Sequence, residues 1–455
     1  MTPQDVAALI DDRPQDGVFR VHADVFRRQE ICELELQHIF EGGWVFIGLD
    51  CQLAKPDDFF TTHIGRQPVI VMRDSAGKIG CFLNACRHRG SMVCQAGAGN
   101  RKHHVCPYHG WAYDSGGRNV AIPAQAEGAY SPAFARENHD LRPVAKLGNY
   151  RGFLFASLNP DVLPLEEHLG DARAFIDLVV DQGEEGLEIV PGAVAYSYAG
   201  NWKLQIENSA DAYHFVPTHL SYIQLLNKRL AAEAAERPSY LSNFRETDAR
   251  RGSFCFANGH NVLWGGNVNI EARPLYRDLE KVKGRVGEMR TKWMFYTRNL
   301  LIFPNLQLLE NASLQIRVNR PIAANKTEIT TYCIAPKGES RAARTQRIRQ
   351  YEEFFNPSGL ATPDDTTLFE ECEAGQKSQW VDWQQGYMRG LAATVHGANE
   401  DAQELGLRPA TSIASTAGIC DETIFHGPLR EWRRILTEAL AREKDELRAL
   451  AGAAE

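Results

Sequence analysis

Two short stretches constrain this chain more than any others: NACRHRG at residues 84–90 and CPYHGW at 106–111. Each pairs a cysteine with a histidine, Cys86 with His88 and Cys106 with His109, and seventeen residues separate the pairs. Gly90, Pro107 and Gly110 suit two tight loops on a β-scaffold. Two thiolates and two imidazoles can hold zinc. They can also hold a two-iron, two-sulfide cluster with cysteine on one iron and histidine on the other. Zinc fingers usually keep cysteines in one half and histidines in the other; here each half is mixed. A Rieske cluster requires mixed halves, because each loop gives one ligand to each iron. The ligand logic therefore favours the cluster over zinc.

The rest of the chain frames that site. It has 455 residues, 44% hydrophobic and 24% charged, with net charge −8. This is a globular composition of two-domain length. It lacks the basic excess of a nucleic-acid binder. No apolar run approaches the roughly 18 residues of a membrane helix. The start, MTPQDVAALIDDRPQDG, has neither a basic n-region nor a long apolar core. We expect a cytoplasmic protein that binds no membrane. There its ten cysteines stay reduced, and a Cys/His cluster reads as metal-binding before disulfide.

Hydrophobic patterning predicts a helix over 23–43, with Val25, Phe26, Ile31, Leu34 and Ile39 on one face. Short β-branched and aromatic runs separated by Gly, Asn and Asp follow (WVFIG, PVIVM, GFLFASL), as in an antiparallel β-domain. Beyond about residue 160 strand-like runs alternate with helical patterns, and 428–452 reads as one amphipathic helix. The Ala/Glu-rich stretch 230–236 reads as a surface helix or loop. The expected architecture is α+β. A helical segment, 1–43, packs on the catalytic domain; an all-β Rieske domain spans 44–158; an antiparallel sheet with helices, of the helix-grip type, spans 159–455.

CRHRG…CPYHGW resembles the Rieske motif of aromatic-ring-hydroxylating oxygenases. Respiratory Rieske proteins add a disulfide between the loops; its cysteines would fall at Ser91 and Tyr108, so that bond is absent here. Cys94 reads as a packed residue. The stretch NWKLQIENSADAYHFVPTHLSY, 201–222, is similar to the family's iron-site segment. His214 and His219 are five apart, which on a straight helix turns roughly 500° and splays the rings by about 140°. Pro217 should break the helix and let them converge. Two histidines and one carboxylate make the non-haem Fe(II) oxygenase arrangement. ATPDDTTLFEECEAGQ, 361–376, offers the carboxylate, although acidic residues also stand in first helical turns simply as charges. The family's paired aspartates imply Asp365 rather than Asp364, since one residue turns a helix by about 100° and only one can face the iron. Asp211, three residues before His214, is expected on the same helix face, holding that histidine's free nitrogen. In the family the matching aspartate also touches a Rieske histidine of the neighbouring subunit. Asn208 matches a residue near the iron; the alternative is a polar residue on an exposed helix face.

Further segments (IFEGGWVFIG, TTHIGRQPVIV, RNLLIFPNL, TYCIAPKGE) look like large subunits of the benzoate, toluate, anthranilate and 2-halobenzoate dioxygenase group. Ser209 and Ala212 depart from that group, which typically has Gly there, and HFVPTH replaces a different linker. The resemblance implies a terminal oxygenase with one [2Fe-2S] Rieske cluster and one mononuclear Fe(II), acting with O2 on an aromatic acid. It implies a small β subunit in an α3β3 assembly. It also implies an NADH-dependent reductase, with or without a ferredoxin, since no G-x-G-x-x-G follows a strand. The expected reaction is cis-dihydroxylation. A salicylate-type monohydroxylase and a bare Rieske electron carrier are the alternatives. An aromatic carboxylate needs a cationic or amide partner, for which Arg298 and His260 are the candidates.

Overall fold

The computed structural model describes residues 1–232, 250–266, 270–311, 313–415 and 421–452. From residue 233 onward the Ala/Glu-rich 230–236 stretch lies outside the described residues. The chain forms two compact units. One contains residues 40–165, the other residues 1–39 with 166–455.

The 40–165 unit is built from small antiparallel sheets. Strands Asp58–Ile64, Gln67–Arg73 and Ile79–Leu83 pair in sequence, with Ala98–Asn100 added outside Asp58–Ile64. Strands Lys146–Tyr150, Phe153–Ser157 and Val45–Leu49 form a second sheet. A third sheet joins His103–Val105, Ala112–Asp114 and Asn119–Ala121. A core shared by the first and third sheets contains Phe59, Ile70, Met72, Trp111 and Tyr113 together with Cys86, Cys94 and Cys106. Cys94 is buried, with its backbone N–H bonded to Asn84 Oδ1 at 3.0 Å, as its packed reading expects.

The larger unit is organised by one antiparallel sheet of nine strands. Its order runs Leu187–Tyr198, Lys326–Pro336, Leu314–Ala323, Leu306–Glu310, Thr297–Ile302, Asn261–Gly265, Arg251–Cys255, Thr411–Ser415 and Val395–His396. Two strands near the centre are buried throughout: every residue of Leu306–Glu310 and Asn261–Gly265 is shielded from water. A sheet buried this way must be covered by helices. Helix Trp202–Ser209 lies across it, against three strands, and helix Thr362–Gly375 packs on that helix. Asn201 caps the first helix, accepting from Lys203 N at 3.0 Å. Its amide also donates to Phe26 O and Ala324 O, at 2.7 and 2.9 Å. Helix His426–Gly452 is the last element among the described residues.

The leading segment differs from the single helix expected over 23–43. A short helix, Pro3–Ala7, and a β-hairpin, Ile10–Arg13 with Val18–His22, come first. Then come short helices Asp24–Arg27 and Gln29–Glu35 and a wider π turn, Leu36–Phe40. Glu35 explains the anchoring. It is wholly buried and accepts from Lys203 Nζ at 2.5 Å, Trp202 Nε1 at 2.7 Å and Trp432 Nε1 at 2.6 Å. One carboxylate thus ties the leading segment to the helix across the sheet and to the last helix.

Candidate metal centres and active-site cavity

The two Cys/His loops are the same turn built twice. In the first, Cys86 N donates to Ser91 O and Gly90 N to Cys86 O, each at 2.8 Å. In the second, Cys106 N donates to Trp111 O at 2.8 Å and Gly110 N to Cys106 O at 3.0 Å. Gly90 and Gly110 have φ of +74° and +75°, a region in which only glycine is unstrained. The turns bury both cysteines and leave the histidines outward. His88 Nδ1 and His109 Nδ1 face each other at 3.1 Å. Trp111 stacks on the His88 ring, with centroids 5.2 Å apart and planes 9° apart. Tyr113 Oη sits 3.3 Å from Cys86 Sγ and accepts from Arg87 N. Burial raises the Cys86 thiol pKa, so this sulfur needs a cation to be held as a thiolate. Two inner sulfurs and two outer imidazole nitrogens are the donor set of a Rieske [2Fe-2S] cluster.

The second centre lies in the larger unit. His214, His219 and Asp365 each offer one ligand atom, all within 4.8 Å of one another. Asp365 Oδ1 lies 3.5 Å from His214 Nε2 and 3.3 Å from His219 Nε2. The other nitrogen of each ring is taken by a different carboxylate. His214 Nδ1 is 3.0 Å from Asp211 Oδ2, and His219 Nδ1 is 3.3 Å from Asp364 Oδ2. That fixes the tautomer that aims both Nε2 lone pairs at one point. Asn208 Nδ2 donates towards His214 Nε2 at 3.2 Å and Asp365 Oδ1 at 3.1 Å. Burial opposes charge on His219, yet Asp365 and Asp364 raise its pKa overall. Burial likewise opposes charge on Asp365, and His219 leads the cations that lower it. Two imidazoles and a carboxylate are a donor set that suits a non-haem Fe(II).

The backbone reaches this geometry by a different route from the one expected. Helix Trp202–Ser209 ends at Ala210, so Asp211 stands in a turn rather than on a helix face with His214. It accepts from Tyr213 N at 2.6 Å and His214 N at 3.3 Å. Asp211 thus closes the turn just before the four-residue helix Phe215–Thr218, whose N-cap is His214, as well as holding the His214 ring. Pro217 lies inside that short helix and breaks nothing, because first-turn N–H groups have no helical partner to lose. The rings converge because His214 precedes the short helix and His219 follows it; their centroids are 5.4 Å apart.

A cavity opens against the three ligand atoms. Phe215, Leu263, Leu309, Phe354 and Phe355 make it apolar; Ser209, Ala212, Asn299, Asn311 and Arg317 add polarity and shape. Asn208, Asp211, His214 and Asp365 also line a more open cleft, together with Glu207, Tyr387 and Glu422. Tyr387 Oη donates to Glu207, 3.0 Å from Oε1. Burial pushes the Glu207 carboxyl up to about 8.

Two expectations fail here. Neither Arg298 nor His260 lines the cavity. Arg298 is buried in an ion pair with Glu310 and a bond to Trp293 O. His260 is buried between His168 O, at 2.9 Å, and Phe303 N, at 3.0 Å. Strand Thr297–Ile302 alternates faces, so Arg298 falls opposite the cavity-lining Thr297 and Asn299; His260 stands in the turn just before strand Asn261–Gly265. The cavity's cation is Arg317, which sequence patterning did not single out. Asp364 was also missed as a histidine partner, because its place in a first helical turn accounts for it equally well.

Residues 43–145 match the Rieske [2Fe-2S] domain model and residues 189–405 the ring-hydroxylating alpha subunit catalytic domain. The chain is 37% identical to the toluate 1,2-dioxygenase alpha subunit of Pseudomonas putida, covering 97% of this chain and 96% of that one. It is 38% identical to the 2-halobenzoate 1,2-dioxygenase large subunit of Burkholderia cepacia, over 96% and 94% of the two chains. It is 37% identical to the anthranilate 1,2-dioxygenase large subunit of Acinetobacter baylyi, over 96% and 93%. Among solved structures, a naphthalene 1,2-dioxygenase variant bound to phenanthrene superposes with a TM-score of 0.80 at 25% identity, covering 96% and 95%. Similarity of this extent makes one assignment: the chain belongs to the ring-hydroxylating dioxygenases, as an alpha subunit with a Rieske [2Fe-2S] domain and a mononuclear-iron catalytic domain.

Proposed function

We propose that this alpha subunit is the terminal oxygenase of a multicomponent system that cis-dihydroxylates an aromatic carboxylate of the benzoate type. The observation that carries this reading is the full-length similarity to dioxygenases named for toluate, 2-halobenzoate and anthranilate, all of them benzoate derivatives. An apolar, aromatic-lined cavity beside the His-His-Asp group supports it. On this reading residues 44–158 carry the cluster, and 159–455, with 1–43 packed on them, carry the iron. Cys86, Cys106, His88 and His109 would hold the cluster; His214, His219 and Asp365 would hold the iron. When bound, the two groups supply stored electrons and dioxygen activation. The protein's own work is positional. Asp211 and Asp364 fix the tautomers of His214 and His219. The apolar wall of Phe215, Leu309, Phe354 and Phe355 holds the ring and excludes water. Electrons come from NADH through a separate reductase, and the oxygenase is an α3β3 ring with a small β subunit. Asp211 lines both the cavity and the open cleft, and on this reading it meets a Rieske histidine of the neighbouring subunit.

Supplying O2, a reductase and a panel of benzoate, anthranilate, salicylate and 2-halobenzoates should yield a cis-dihydrodiol or its catechol breakdown product from a benzoate. A singly hydroxylated product alone would establish the monohydroxylase instead. Asp211→Asn keeps size and removes charge. It should retain both metals and the oligomer and lose nearly all turnover, with the reduced cluster failing to reoxidise in single-turnover stopped flow. Normal reoxidation would rule out the junction role.

A further inference from the structure

We infer that Arg317 is the residue that reads the substrate's carboxylate, a refinement that rests on the aromatic-acid reading above. Arg317 lies on strand Leu314–Ala323, opposite Gln307 and Thr331, and reaches the cavity that holds His214, His219 and Asp365. It is only 2% exposed. A guanidinium carries five N–H donors and needs acceptors for them when buried. Its described partners are few. Nη2 reaches Thr362 Oγ1 at 3.5 Å, the limit of a hydrogen bond, and Cζ lies 4.9 Å over the Phe355 ring. Nε is buried with no hydrogen-bond partner among the described residues, and no carboxylate among them lies within ion-pair distance. The contrast with the other buried arginines is direct: Arg298 pairs with Glu310 and Arg347 with Glu339. Asp365 acts on this cation only from beyond ion-pair contact, and a buried cation with no carboxylate bonded to it is costly unless a ligand supplies one. The rest of the wall nearby, Phe354, Phe355, Leu263 and Leu309, fits an aromatic ring. One carboxylate on one ring satisfies both halves of the cavity, with the planar guanidinium matching the planar carboxylate.

The test is equilibrium binding of benzoate and of benzamide, its neutral near-isostere, to the purified holoenzyme by calorimetry. Metal content and thermal unfolding are checked for each variant. Wild type should bind benzoate about 100-fold tighter than benzamide, as expected for a buried charge-assisted pair. In Arg317→Gln that ratio should collapse to near one. Arg317→Lys is gentler on the fold and keeps the charge without the fork; it should lose about tenfold of the ratio. A wild-type preference that survives intact in either variant would overturn the assignment of Arg317 and leave the aromatic-acid reading standing. Equal binding of benzoate and benzamide by wild type would overturn both.

Discussion

Asp364 and Asp365 are neighbours in sequence with different work, and one residue's rotation on a helix separates them. Asp365 is 6% exposed and faces both Nε2 atoms; Asp364 is part-exposed and holds only the far nitrogen of His219. Asp365→Ala should therefore lose the mononuclear iron while the cluster's visible spectrum survives. Asp364→Ala should keep the iron but bind it about 10- to 100-fold more weakly, the usual cost of losing a histidine's outer partner. Iron per chain during chelator titration distinguishes them, and the reverse order would exchange their roles. Glu207 makes a separate prediction about pH. Its folded pKa is raised by burial to about 8 from 4.5. The folded protein therefore keeps a proton that the unfolded chain loses above about pH 4.5, and stability must fall as pH rises from there through about 8. Glu207→Gln should flatten that slope, by about 1–3 kcal/mol across the window given its contact with an open cleft. An unchanged dependence of Tm on pH in the variant would contradict it.

Elements matter here through how they are tied. The Cys/His loops show why mixed spacing works: each turn closes on its own cysteine carbonyl, so each loop points one sulfur inward and one ring outward. His88→Cys or His109→Cys should keep an iron–sulfur cluster and lower its reduction potential, because thiolate donates more charge than imidazole. A potential unchanged from wild type would count against those ligands. At the other end of the chain, Glu35 is the sole carboxylate among the described residues bonded to Lys203, a lysine 2% exposed. Glu35→Gln should leave that ammonium buried without its counter-charge and cost about 3–5 kcal/mol of stability. It should also loosen the leading segment, seen as earlier amide exchange over Gln29–Glu35 than in the sheet.

On the scale of the whole molecule, two units carry two different metal sets, and the larger sheet sets the position of its own. The wide nine-stranded sheet supplies a floor of buried strands, and the helices on it bring Asn208 and Asp365 together across 157 residues of sequence. Light scattering of the co-expressed alpha and beta subunits should give the mass of three of each; a stable alpha–beta pair of one each would refute the ring. Among the described residues no helix is long and apolar enough to cross a membrane.

The chemistry was legible in the sequence because metal ligands are few in kind and must recur at fixed local spacings. Cys86, His88, Cys106 and His109 lie within one hairpin-sized span, and His214 and His219 within one turn-helix segment. The β-character of the first unit and the last helix were legible too, since periodicity is a local property. The leading hairpin, the end of helix Trp202–Ser209 before Asp211 and the harmless place of Pro217 were not, because tertiary packing overrides local propensity at such short elements. Arg298 and Arg317 show the limit most clearly. Both are arginines in strands of one sheet, and nothing local says which faces the cavity. Only the assembled sheet decides that, by giving Arg298 the Glu310 carboxylate and leaving Arg317 aimed into the space beside His214, His219 and Asp365. Charge complementarity in a core is fixed by residues distant in sequence, so it exists only once the chain has folded.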